Sequence, residues 1–154
     1  MEVHFMFAPK NILVPTDFSK YSDAALKKAV DIASRHEAKI YLLHVIDKGI
    51  QDCAIDYCLD YRIIEALKKD SLREAKAKLK KEADEIAKKK KIKISFDIKR
   101  GFPAEVILSE QKVKKIDLVV ISSHGKTGIL KQMMGSVADK VVKGAACPVM
   151  VVKP

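Results

Sequence analysis

The residues best suited by type to do chemistry lie between Ser122 and Ser136, in the run Ser-Ser-His-Gly-Lys-Thr-Gly-Ile-Leu-Lys-Gln-Met-Met-Gly-Ser. Glycines, hydroxyls, an imidazole and lysines suit an anion cradle, because backbone N–H groups can close on a phosphate where no Cβ intervenes. Just upstream, the apolar, β-branched run Asp117–Ile121 reads as a buried strand. Just downstream a helix is expected to begin, with Ser136 as its N-cap and Asp139 completing a capping box. A strand that delivers a glycine-containing loop to a helix N-terminus gathers unpaired N–H donors and the positive end of a helix dipole. The competing reading is that these glycines only shape turns.

Two familiar phosphate loops fail on spacing. A Walker A loop needs a glycine five positions before Gly125, where Val120 stands, and a Rossmann fingerprint needs a glycine that Gly125 and Gly128 lack. What remains is Gly125, nine residues, then Gly135-Ser136.

The elements that must position this loop follow from periodicity. Asn11–Pro15 reads as a buried strand ending at Thr16-Asp17, and a helix capped by Ser19 or Ser22 follows, with Leu26, Ala29, Val30 and Ala33 as its apolar stripe. Lys39–Asp47 is a second strand and Asp47–Asp60 a connecting loop. A long helix is expected from Tyr61 to about Lys90, then a strand over Ile92–Ile98. Gly101-Phe102-Pro103 turns the chain into a helix ending near Val113. After the site loop and its helix, which Gly144 can end, Cys147–Val152 reads as the last strand. Strand and helix alternate without a linker or repeat, which predicts a single-domain, open three-layer α/β sandwich: a tail at 1–9 and one domain over 10–154.

Composition sets the limits. The 154 residues are 48% hydrophobic, enough for one core, and no apolar run approaches the roughly 20 residues that span a bilayer. Met1–Pro9 lacks the pattern of an export signal, and Cys53, Cys58 and Cys147 form neither a disulfide framework nor a zinc motif. The cytoplasm is the expected compartment, with no membrane partner. The formal charge of +10 would admit nucleic acid, yet Glu65/Lys69, Glu74/Lys78, Asp84/Lys88 and Glu85/Lys89 are spaced as solvated helix pairs. Without aromatic and basic residues interleaved, nucleic acid is not the favoured partner.

Over nearly its whole length the chain resembles the universal stress protein family. The resemblance rests on Ile12–Asp17, Leu42–Val45, Gly101–Ile107, Asp117–Val120, the Gly-x2-Gly-x9-Gly-Ser spacing and Cys147–Val152. The first glycine of that spacing is Ser122 here, a departure that puts a Cβ where backbone would approach a phosphate. The resemblance implies an adenine nucleotide alpha hydrolase-like fold with a five-stranded parallel sheet of order 3-2-1-4-5. It also implies ATP as ligand, with magnesium or manganese accompanying the phosphates, and a homodimer paired through the C-terminal strand, Pro148–Val152. By the same resemblance Asp17 sits beside base or ribose, and the Val45 backbone reads adenine. Gly125, Gly135, Ser136 and Val137 contact phosphate and ribose, with Ser122 and Ser123 as weaker assignments. Lys126 can pair with a phosphate, and His124 either contacts the ligand or fixes the loop. Without an identifiable catalytic constellation, the expectation is a nucleotide-dependent stress switch or adaptor acting on an unidentified protein partner. Hydrolysis would be slow or partner-dependent at most; the alternative is an interaction module that binds no nucleotide.

Overall fold

The computed structural model describes residues 7–49, 60–126 and 133–153. The order is β1 (Asn11–Thr16), α1 (Lys20–His36), β2 (Lys39–Asp47), α2 (Tyr61–Lys90), β3 (Ile94–Gly101), α3 (Pro103–Val113), β4 (Leu118–Ser122), α4 (Ser136–Gly144) and β5 (Val149–Val152). The strands form one all-parallel sheet in the order β3-β2-β1-β4-β5. This is the expected α/β sandwich and the expected strand order.

The continuous apolar runs of β1 and β4 have a simple cause, since both faces of the sheet are covered. Ile12, Val14, Leu118 and Val120 face the cluster built with Leu26, Ala29 and Val30 of α1 and Leu79 of α2. Their neighbours Leu13, Val119 and Ile121 face the other way, against Ala104 and Ile107 of α3 and Ala138 and Val141 of α4. Full burial of a Leu or Val side chain contributes about 1.5–3 kcal/mol each, so the two central strands anchor both layers. Among the described residues no helix is long and apolar enough to cross a membrane.

Local boundaries follow capping chemistry. Ser19 caps α1, its Oγ accepting the Ser22 N–H at 3.2 Å. The strand expected at Ile92–Ile98 runs instead over Ile94–Gly101. Lys91, in the left-handed conformation, ends α2, and Ile92 is spent on the core before pairing starts. At the far end the long β2 offers Val45, Ile46 and Asp47 as partners for Lys99, Arg100 and Gly101, which extends β3 past the predicted stop. The loop expected at Asp47–Asp60 falls largely outside the described residues.

Candidate functional site

The site exists because the sheet parts in its middle. β1 keeps six register pairs with β2. With β4 it keeps two, Ile12 with Leu118 and Leu13 with Val119. Beyond them the strands diverge toward their C-terminal ends, which is where an open parallel sheet takes its ligands. Pro15 fits this divergence. The Asn11 carbonyl accepts the Asp117 N–H, so the odd-numbered backbone groups of β1 face β4. The N–H that Pro15 lacks would therefore have pointed into the opening, where β4 no longer offers a carbonyl. The resulting cleft has a volume of about 540 Å³, within the range of small-molecule sites.

Asp17 leaves β1 at the rim of this cleft. Its Oδ1 accepts the Ser19 N–H at 3.0 Å, an Asx turn, and its Oδ2 accepts the Lys126 N–H at 2.8 Å from the other side of the opening. Burial alone would raise the pKa of this half-buried carboxyl. The hydrogen bonds from Ser19, then Lys126 and Ser22, outweigh that and hold it below its ordinary value. Gly125 is needed for this approach, because a Cβ there would stand 2.8 Å from Asp17 Oδ2. Between Asp17 and Ser19, Phe18 adopts φ +61°, a left-handed conformation that a bulky residue rarely takes. Its ring packs on His44 at 4.5 Å, and the Thr16 Oγ1 accepts its N–H at 3.1 Å.

The floor and far wall come from β2 and β4. The His44 Nδ1 lies 2.8 Å from the Thr16 carbonyl, to which it donates. Burial pushes the pKa of this imidazole down, with Lys126 adding to the effect. Val45 follows, half-buried and lining the cleft. At the end of β4, the Ser122 hydroxyl donates to the His124 carbonyl at 2.7 Å, and the Ser123 Oγ lies 2.8 Å from His124 Nδ1. The His124 ring also faces Tyr21 at 5.9 Å. These bonds fix the first turn of the loop before Gly125.

Gly135 closes the other end. Its N–H donates to the Ser123 carbonyl at 2.7 Å, and an added Cβ would come within 3.2 Å of that same oxygen. The start of α4 is thereby pinned against the exit of β4. The expected N-cap needs correction: Gly135, not Ser136, is the cap, and no side chain bonds the first turn. The expected capping box is absent as well, because the Asp139 carboxylate accepts from Lys143 Nζ at 2.8 Å. At the loop's return the cap residue gives its N–H to the Ser123 carbonyl, and a Cβ there would sit a tight 3.2 Å from that oxygen. Ser136 is left exposed at the first helical position with its hydroxyl uncommitted to capping, and Val137 is half-buried beside it.

Asp17, Val45, Ser122, Ser123, His124, Gly125, Lys126, Gly135, Ser136 and Val137 thus all line one cleft. Residues 127–132, which include Gly128, lie outside the described residues. Sequence reasoning missed Phe18, whose backbone turn aims Asp17, and the use of the Lys126 backbone rather than its ammonium. Among the described residues no three His, Cys, Asp or Glu side chains converge as metal ligands. The glycine cradle and the exposed N-terminus of α4 fit a phosphate, whereas the side chains do not form a resident cation site.

The model of a family described as the universal stress protein family matches residues 9–153. Universal stress protein MJ0531 of Methanocaldococcus jannaschii is 38% identical over 144 residues, covering 94% of this chain and 82% of its own. Among solved structures, universal stress protein UspA from Lactobacillus plantarum superposes with a TM-score of 0.79 at 28% identity, covering 93% of this chain and 97% of that one. Hypothetical protein MJ0577 does so with a TM-score of 0.79 at 31% identity, covering 96% and 98%.

Proposed function

This chain belongs to the universal stress protein family, and from that premise we propose that it binds ATP in the cleft between β1 and β4 and acts as a nucleotide-dependent switch or adaptor. The observation that carries the reading is the pair of glycines at the cradle. Gly125 and Gly135 are each pressed against an oxygen, of Asp17 and of Ser123, so that a Cβ at either would meet it at 2.8 or 3.2 Å. With Gly125 and Gly135 so placed, the uncapped N-terminus of α4 stands at the same opening as Asp17, an arrangement suited to phosphate. Two structures of this fold, one of them from Archaeoglobus fulgidus, are of universal stress proteins in complex with cAMP and with dAMP, so adenine nucleotides are ligands that proteins of this fold take.

In this reading the Val45 backbone meets the base, Asp17 meets ribose or base, and Ser136, Val137, Gly125 and Gly135 meet the phosphates, with Ser122 and His124 shaping the loop. The Ser122 hydroxyl is turned back onto its own loop through the His124 carbonyl, so it is the Cβ alone that distinguishes this position from the motif's glycine. Magnesium or manganese would be held by phosphate oxygens and water. Differential binding of nucleotide at the Ser122–Gly135 stretch then biases a surface that a cytoplasmic protein partner reads. The domain doing this is 10–154, paired into a homodimer along β5, an edge strand whose open backbone calls for cover. In this reading any turnover is slow or supplied by a partner.

Calorimetry with magnesium and ATP on nucleotide-stripped protein tests this. Wild type should bind, and Gly135→Val should not; a folded wild type silent at millimolar ATP would leave the family's interaction role without a nucleotide. Val151→Pro should lower the mass seen by light scattering, and an unchanged mass would remove β5 as the interface.

A further inference from the structure

We propose that Asp17 determines specificity in this cleft by acting as a built-in anion: its carboxylate holds the loop donor that a phosphate would seek, so the site accepts phosphates carried on a hydroxyl-bearing ligand and turns away free polyphosphate. The inference rests on the nucleotide reading for the identity of the accepted ligand, and on geometry for the rest. The Lys126 N–H, a donor of the cradle, is already given to Asp17 Oδ2 at 2.8 Å. The carboxylate is not there by chance of rotamer. Ser19 fixes its other oxygen at 3.0 Å, and the left-handed turn at Phe18 is kept by the His44 ring and the Thr16 hydroxyl. Gly125 clears the space through which the contact is made. Backbone strain retained beside a cleft in this way is a mark of a position that is over-determined by its surroundings.

The consequence is a test of what the ligand brings. Inorganic polyphosphate carries acceptors and charge. To use the Lys126 N–H it must strip a half-buried carboxylate of a hydrogen bond and then sit beside it as a like charge, which is unfavourable on both counts. A nucleotide that takes the same N–H can offset the loss, because its sugar hydroxyls or base amine donate to the carboxylate in its place. The cleft therefore discriminates against the abundant phosphate it would otherwise collect.

Calorimetry with sodium tripolyphosphate and, separately, with ATP on wild type and Asp17→Asn decides the matter. Neutralising the carboxylate should strengthen tripolyphosphate binding by about tenfold or more while leaving ATP no tighter, so that the preference for ATP narrows. Tripolyphosphate binding unchanged or weakened in the folded variant would overturn the proposal. A wild type that ignores ATP while the variant gains tripolyphosphate would refute the nucleotide reading and leave the carboxylate's role standing. The wild type provides a check that needs no variant: in NMR spectra the Lys126 amide should move as Asp17 is titrated with acid and on adding tripolyphosphate to high concentration. A Lys126 amide indifferent to both would also sink it.

Discussion

Two half-buried carboxylates, one just before α1 and one on α2, meet opposite fates. Asp17, at the cleft, has both oxygens supplied by backbone N–H groups and is held below its ordinary pKa. Glu82, on α2 facing α1, has an Oε2 with no hydrogen-bond partner among the described residues; burial, then the charges of Asp23 and Glu85, raises its pKa. The difference lies in the main chain. A helix spends its N–H groups internally, so a carboxylate at a helix–helix seam finds none to accept. A strand end followed by a turn, facing a loop, leaves donors unspent, and a carboxylate there becomes a structural tie. The molecule keeps its chemistry at the sheet's opening for the same reason that the seam has none.

The sharpest way to separate the two regions is to damage each alone. Leu79→Ala, at a fully buried position of α2, should cost about 2–5 kcal/mol in denaturant unfolding while the folded fraction keeps its ATP affinity. Loss of affinity in that variant would mean the seam and cleft are coupled. Ser19→Ala, which removes the cap of α1 beside Asp17, should cost about 1 kcal/mol.

Acid separates the regions by sign. Asp17 has a folded pKa below its unfolded one, so its contribution is complete above about pH 4 and is lost as pH falls through the lower folded value. Asp17→Asn should therefore lower stability at neutral pH and flatten the acid limb of the stability curve. Glu82 runs the other way. Its ionised form is disfavoured on folding, a cost fully present above the raised folded pKa and gone once pH is below the ordinary glutamate value. Glu82→Gln should raise Tm slightly at pH 7 and leave it unchanged near pH 3; a lowered Tm at pH 7 would mean the carboxylate has a favourable partner.

The layers of the fold were legible because they depend on local pattern. Asn11–Pro15 and Asp117–Ile121 read as buried strands since each must fill two faces, and the stripe Leu26, Ala29, Val30, Ala33 was expected to pack on a sheet. The loop's approximate place was legible through Gly125 and Gly135. Its tie was not, because Asp17 and Lys126 are 109 residues apart and meet through a backbone N–H that carries no sequence signature. The left-handed turn at Phe18 was hidden for a related reason, since a phenylalanine gives no hint of that conformation. The cap at α4 was misread by one residue because capping preference favours Ser136, while the close contact between Gly135 and the Ser123 carbonyl decides the matter.

The position of β1 at the centre of the sheet also governs the protein's birth. As the chain leaves the ribosome, β1, β2 and β3 can pair in order, but the second flank of β1 must wait for β4, whose leading Asp117 bonds Asn11 across 106 residues. Until then a strand with an apolar centre, Ile12–Pro15, has one edge bare, in a parallel arrangement that forms slowly. A nascent chain stalled before Leu118 is thus the form most exposed to aggregation, and the one on which chaperones would be expected to act.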